Sequence, residues 1–302
     1  MHILVIGTHG QVARALAERA ACHGSTVVAI GRPALDLLHP SGLQDVLREA
    51  QGDVIVNAAA YTAVDQAERE PEQAEAINAT GAGAVAAAAA ALGLPVVQLS
   101  TDYVFDGTAA DPYREDAPAR PLGVYGATKW RGEQAVARAC ANHAILRTAW
   151  VYSPFGSNFV RTMLRLAGGR DEIAVVADQV GSPTSALDLA DGILDVCRNL
   201  VAHPDEPSYR GVFHMAGTGS ASWAELATEI FVEAARYDGP TARVCPIGTA
   251  EYPTPAKRPG NSRLDCSRLA AVHGVILPHW RSSLGTCVRR LIEDLHRQEL
   301  QP

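Results

Sequence analysis

The stretch HILVIGTHGQVARAL, residues 2–16, decides how the rest of the chain is read. Ile3 to Ile6 form an unbroken apolar run, the pattern of a parallel strand buried on both faces. The segment GTHGQVA (7–13) follows at once and opens an alanine-rich helical stretch. Gly7 and Gly10 stand where a phosphate-binding turn needs them. Glycine permits the tight turn and lets backbone approach a pyrophosphate, whose charge a helix N-terminus stabilises. Ala13, in the third position, is small enough for helix–strand packing. A glycine loop alone says little, but between a strand and a helix it predicts a dinucleotide site.

The alternation continues outward. Strands are expected at 2–7, 26–30, 53–60, 95–100 and 144–152, and helices at 11–22, 41–50, 66–92 and 125–141. This is the pattern of an α/β fold, a doubly wound parallel (Rossmann) sheet over residues 1–153. The six alanines 86–91 favour a helix that lies close on its sheet. After residue 153 the pattern loosens into Pro/Gly-rich loops (SPFGSN, DQVGSPTS, YPTPAKRPGNS) between helices near 186–200, 222–237 and 283–298. Residues 154–302 therefore read as a smaller domain interleaved with the first.

Composition narrows the function. With 302 residues, 47% hydrophobic and 20% charged, the chain can bury a full core. Its net charge of −7 argues against a nucleic-acid partner, which would want a basic face. A small anionic ligand stays compatible, because a few arginines or a helix N-terminus suffice for one. Cys22, Cys140, Cys197, Cys245, Cys266 and Cys287 are scattered without a C-x-x-C pair, as expected of free thiols in a reducing compartment. No H-E-x-x-H or similar spacing appears, so no catalytic metal is expected. The longest apolar run, AVAAAAAALGLPVV (84–97), is too short to span a bilayer, and no basic leader precedes the first strand. A cytoplasmic protein without a membrane partner is expected.

VYGATKWRGEQ (124–134) sets Tyr125 and Lys129 four residues apart at the start of a helix, so both heads project from one face. A neighbouring cation favours the phenolate, lowering a tyrosine pKa from about 10 and making it a proton donor or acceptor near neutral pH. At the end of the second strand, where an NAD-binding chain would carry Asp or Glu, this one has Gly31-Arg32. Arginine can pair with a 2′-phosphate, so NADPH is favoured, with NADH possible.

Together these segments resemble one family, the dTDP-4-dehydrorhamnose reductases, a branch of the extended short-chain dehydrogenases. The resemblance covers nearly the whole chain. It rests on GTHGQVA, VNAAAYTAVDQAEREP, STDYVFDG, PLGVYGATKWRGE, RTAWVY, NFVRTMLRLA, DQVGSPT and YPTPAKRPGNSRLD, in the family's order and spacing. It implies reduction of the 4-keto group of dTDP-4-dehydro-6-deoxy-L-mannose to dTDP-L-rhamnose, with an NADP-binding first domain and a second that mainly binds the sugar nucleotide. By position, Tyr125 is the acid, Lys129 holds the nicotinamide ribose, and Thr101 supplies a hydroxyl to the keto oxygen. Asp102 and Trp150 correspond to sugar contacts. Besides Gly7 and Arg32, the cofactor contacts implied are Gly10, Gln11, Val12, Asp36, Leu37, Ala60, Tyr61 and Thr62. The basic cluster Lys257, Arg258 and Arg263, broken by Pro259 and Gly260, suits a mobile flap over the diphosphate, with Arg258 making a two-pronged contact. Some relatives dimerise around Mg²⁺ through glutamates; the matching places here hold Ala15 and Leu187, which leaves monomer or homodimer open and predicts no metal. Two other readings stand beside it: a sister reductase making another 4-epimer with the same Tyr, Lys and Thr, and a non-catalytic nucleotide-binding regulatory subunit on the same fold, a class that tends to lose the tyrosine or lysine kept here.

Overall fold

A computed structural model of the protein describes residues 1–299; residues 300–302, the end of the expected second domain, lie outside the described residues. The first half runs β1 (His2–Ile6), α1 (Gln11–Arg19), β2 (Thr26–Ile30), α2 (Leu43–Ala50), β3 (Val54–Asn57), α3 (Val64–Ala67), α4 (Pro71–Glu75), α5 (Ala82–Ala91), β4 (Val96–Thr101), α6 (Val124–Ala139) and β5 (His143–Thr148). The second half adds β6 (Val151–Tyr152), α7 (Phe159–Ala167), β7 (Glu172–Val176), β8 (Val180–Gly181), β9 (Thr184–Ser185), α8 (Ala186–Ala202) and β10 (Gly211–His214). It ends with β11 (Ala221–Ser222), α9 (Trp223–Ala235), β12 (Arg243–Ile247), β13 (Asn261–Ser262), α10 (Ser267–His273) and α11 (Trp280–Glu299).

Six parallel strands form the main sheet in the order β10-β5-β4-β3-β1-β2. Apolar side chains of α1 and α8 (Ala13, Leu16, Leu189, Ile193) cover one face, against Ile3, Val5, Val56 and Val97. The opposite face (Leu4, Ile6, Ile55, Val96) is covered by α2, α5 and α6 through Leu43, Leu47, Val85, Ala86, Ala89 and Val136. The sheet is thus doubly wound, as expected. Each fully buried Leu or Ile contributes roughly 1.5–3 kcal/mol. The second half builds its own core from α7, α9 and α11 (Leu164, Ile230, Phe231, Trp280, Leu284, Val288). It also returns to the main sheet, because β10 pairs with β5. Among the described residues no helix is long and apolar enough to cross a membrane.

Local chemistry explains where elements depart from the sequence pattern. The stretch 66–92 is not one helix. Pro71 begins α4, Glu70 before it is non-helical (φ −125°), and Ala76–Gly81 form a wide π-helical segment before α5. The stretch 144–152 breaks at Trp150, which sits at φ +48°, so β6 leaves the main sheet and pairs with β9. Strand β3 ends at Asn57, earlier than 53–60 suggests, and 58–60 turn toward the ligand edge. Strands β7, β10 and β12 and helix α7 lie in the half that read as irregular.

Small residues let α6 sit deep. A Cβ on Gly132 would come within 2.1 Å of the Asn78 carbonyl oxygen, and one on Gly83 within 3.0 Å of the Ala135 Cβ. Gly132→Ala is therefore expected to lower stability by about 1–3 kcal/mol through overpacking, read from denaturant melting. An unchanged midpoint would show that α6 can move outward without cost.

Candidate functional site

The loops after β1 to β5 open at one edge of the sheet, where ligands of open α/β sheets bind. Gly7 stands at φ +113° and donates its N–H to the Ile30 carbonyl at 2.7 Å, which folds the loop against β2. A Cβ there would reach 3.4 Å from the Ala59 nitrogen, so both conformation and space call for glycine. Gly10 opens α1 without a side-chain cap, leaving the first-turn N–H groups to a ligand or water. A cleft of about 690 Å³ lies over this loop, walled by Gly7, Gly10, Arg32, Asp36, Leu37, Ala60, Tyr61 and Thr62. A glycine turn, an uncapped helix start and an exposed arginine fit a dinucleotide phosphate.

The wall residues have distinct roles. Arg32 is exposed and has no ion-pair partner among the described residues. Asp36 accepts the Leu38 N–H at 3.0 Å, shaping the turn, and Leu37 is buried beneath Gly81. Tyr61 is held through its backbone: its N–H donates to Asn78 Oδ1 at 2.8 Å, and its carbonyl accepts from Asn78 Nδ2 at 3.1 Å. Gln11 and Val12 do not line this cleft. Gln11 Oε1 accepts from the Ser153 hydroxyl (2.7 Å) and Asn158 Nδ2 (3.1 Å), tying α1 to the second half, while Val12 packs on the core.

Tyr125 and Lys129 both sit on α6. The cap of α6 comes from far away in sequence: Gly123 offers no side chain, and the Val124 N–H donates to Glu68 Oε1 at 2.8 Å. Gly126 presses the helix start onto the turn after β4, since a Cβ there would meet the Tyr103 carbonyl oxygen at 2.1 Å. The Tyr103 and Tyr125 rings then meet edge-on at 5.5 Å. Lys129 is buried, and its Nζ donates to the Leu99 carbonyl at 2.7 Å.

Electrostatics differ from the sequence expectation. Burial pushes the Tyr125 phenol up to about 12; a hydrogen bond with Thr101 works against the rise and the Asp102 charge adds to it. Burial pushes Lys129 down to about 8, with Glu133 pulling the other way. The ammonium therefore does not lower the tyrosine, because it is spent on a backbone carbonyl and both groups are desolvated. At neutral pH Tyr125 keeps its proton.

Thr101 ends β4 with its hydroxyl donating to Asp102 Oδ1 at 3.0 Å and accepting the Tyr103 N–H at 3.2 Å. Asp102 is buried and its Oδ2 has no partner. Burial raises its carboxyl to about 6, with the nearby Ser262 and Thr101 hydroxyls working against the rise. Trp150 stacks on Trp223 with centroids 3.5 Å apart, seated over Gly181, where a Cβ would meet the indole at 2.3 Å. Trp223, with Tyr103, Phe159, Tyr252 and Arg258, walls a second cavity of about 510 Å³. Trp150 backs that wall and does not line it. Thr101, Tyr125 and Lys129 line neither cavity; Thr101 and Lys129 are buried at the strand edge and Tyr125 is half-buried.

Arg258 does line the second cavity, but the flap expectation is corrected. Its Nη2 pairs with Asp65 Oδ2 at 2.7 Å, its guanidinium lies 6.0 Å from the Tyr103 ring, and its buried Nη1 has no partner. The segment beyond it is pinned, with β13 paired to β8 and Asn261 Nδ2 donating to the Ala109 and Asp111 carbonyls. Arg263 turns away to the Ala110 carbonyl, so the basic trio does not act together.

Sequence reasoning passed over Asp65, Glu68, Asn78 and Trp223. Asp65 and Glu68 lie three apart in AVDQAE, so one short turn, α3 and its end, reaches both the Arg258 loop and the start of α6. That spacing of carboxylates was the available signal. Among the described residues no group of three or more His, Cys, Asp or Glu is placed to hold a metal.

Comparison with known proteins agrees with this arrangement. The family model described as RmlD substrate binding domain matches residues 1–293. A dTDP-4-dehydrorhamnose reductase of Sinorhizobium fredii is 47% identical, covering 97% of each chain. That of Escherichia coli K12 is 41% identical over 98% of both. A crystal structure of dTDP-4-dehydrorhamnose reductase from Bacillus anthracis in complex with NADP superposes with a TM-score of 0.87 at 36% identity, covering 95% of this chain and 98% of that one. The chain belongs to the dTDP-4-dehydrorhamnose reductase family.

Proposed function

We propose that the chain reduces the 4-keto group of dTDP-4-dehydro-6-deoxy-L-mannose with NADPH, giving dTDP-L-rhamnose. The observation that carries this reading is a half-buried, proton-bearing Tyr125 on the helix that holds Lys129 against β4, at the strand edge that bears Thr101 and the dinucleotide cleft. NADPH supplies the hydride when bound. Gly7, Gly10 and the first turn of α1 would hold its pyrophosphate, and Arg32 its 2′-phosphate. The Thr101 hydroxyl and the Tyr125 phenol orient the keto oxygen, and the phenolic proton passes to that oxygen as it gains charge. Lys129 keeps a positive charge beneath them. Asp102 and Trp150 belong to the sugar pocket in this reading, and Arg258, on the wall of the second cavity, would meet the diphosphate there. The relative bound to NADP supports the cofactor.

The same reading places the protein in a reducing cytoplasm, in keeping with six free cysteines, and gives it a dTDP-sugar as partner in place of nucleic acid. The direct test incubates the chain with the keto sugar and NADPH and identifies the product by NMR. A product with the other C4 configuration, or no NADPH oxidation, would overturn it.

Three outcomes are expected. Tyr125→Phe lowers kcat by about 10²–10⁴ while the NADPH Kd stays as in wild type, measured by steady-state kinetics and titration. Near-normal turnover would remove Tyr125 from the chemistry. Lys129 is charged below its value of about 8, so kcat/KM falls as pH rises through about 8; a level profile well beyond that point would show that its charge is not used. Arg32→Asp shifts the ratio of kcat/KM from NADPH toward NADH, since a phosphate partner is lost and a like charge gained; an unchanged ratio would show that Arg32 does not meet the 2′-phosphate.

A further inference from the structure

We infer that Glu133, with Ser100 and Arg147, is a positioning residue that locks the strand bearing Thr101 and the helix bearing Tyr125 and Lys129 into one register. Glu133 lies four residues beyond Lys129, so the two project from the same face of α6. Lys129 holds the carbonyl of Leu99, and Glu133 accepts the hydroxyl of Ser100 through Oε1. One helix face thus grips two consecutive residues of β4, and the next residue is Thr101. Arg147 closes the network from β5, where it stands in register with Ser100. Its Nε donates to Glu133 Oε1 at 2.9 Å and its Nη2 to Oε2 at 2.7 Å. Its Nη1 reaches the Glu115 carbonyl at 3.5 Å, and its guanidinium stands 5.1 Å from the Phe105 ring. Ser100, Glu133 and Arg147 are each no more than 5% exposed.

Stability alone is a weak reason for this arrangement. A buried ion pair loses much of its Coulomb gain to desolvation, and well-packed apolar residues often serve as well or better. The two-pronged guanidinium–carboxylate bond is instead strongly directional. It fixes how far α6 slides along β4, and that slide sets the approach of Tyr125 to Thr101. Displacements of about 1 Å in such geometry can cost a hundredfold in rate.

The test uses Ser100→Ala, which removes one hydroxyl, and the double replacement Glu133→Leu/Arg147→Met, which keeps the volume apolar. Both are expected to lower kcat about tenfold to a hundredfold, with KM for NADPH nearly unchanged. The double variant is expected to melt at or above the wild-type temperature and still turn over slowly. Wild-type kcat in a folded double variant would overturn the inference, since the network would then serve only the fold. If the double variant does not fold, wild-type kcat in Ser100→Ala overturns it equally.

The inference rests on the reductase reading, so wild-type turnover is the baseline; its absence would overturn that reading instead. A readout without turnover keeps the two apart. Lys129, held against Leu99, should react slowly with an amine-acylating reagent in the wild type and several-fold faster in both variants, followed by peptide mass spectrometry. Equal labelling in all three chains would overturn the positional role.

Discussion

The site depends on how closely α6 lies against its neighbours. Gly126 lets the helix start touch the turn after β4, and Gly132 lets its middle touch the backbone at Asn78. Any side chain at either position would push the helix outward. Because the peptide backbone is stiff, this approach brings the Lys129 ammonium onto a strand carbonyl and buries Glu133 beside Ser100. Hydrogen bonds then keep what the small residues permit. Asn78 extends the same constraint to the cofactor side, donating to the Thr128 hydroxyl at 3.1 Å while holding both backbone groups of Tyr61.

Burial governs the charges at this junction more than pairwise attraction does. A phenol and an ammonium side by side in water would favour the charged pair. Here each is desolvated, and the two move toward neutrality, the tyrosine to about 12 and the lysine to about 8. Asp102, with an unpartnered oxygen, moves the same way to about 6. At neutral pH the resting site therefore keeps the Tyr125 proton and the Lys129 charge together, which suits a reaction whose negative charge develops on an oxygen yet to arrive.

What the sequence made legible was whatever depends on local pattern. The run Ile3–Ile6 with Gly7 and Gly10 led directly to β1, the turn and α1, and the four-residue spacing placed Tyr125 and Lys129 on one face of α6. The features it hid depend on partners distant in sequence. A pattern of alanines cannot show that Ala76–Gly81 widens into a π-helical turn around a buried Asn78. RTAWVY reads as continuous strand because the left-handed backbone at Trp150 accompanies contacts distant in sequence, its stack on Trp223 and its seat over Gly181. The basic run near Arg258 looked mobile because Asp65 lies 193 residues away and β8 is only two residues long. Lysine beside tyrosine suggested a lowered phenol pKa because proximity is visible in a sequence and desolvation is not.

The remote cap on α6 has a consequence for how the molecule comes together. A helix normally draws its first hydrogen bond from a side chain next to it, so its start can form as soon as the chain is made. Here the start is bonded to Glu68, 56 residues earlier, and the Arg258 loop to Asp65 on the same turn. Closing such long loops costs entropy before the contacts repay it. The helix bearing Tyr125 and the loop bearing Arg258 are thus tied to one and the same turn at α3, so a change there reaches both.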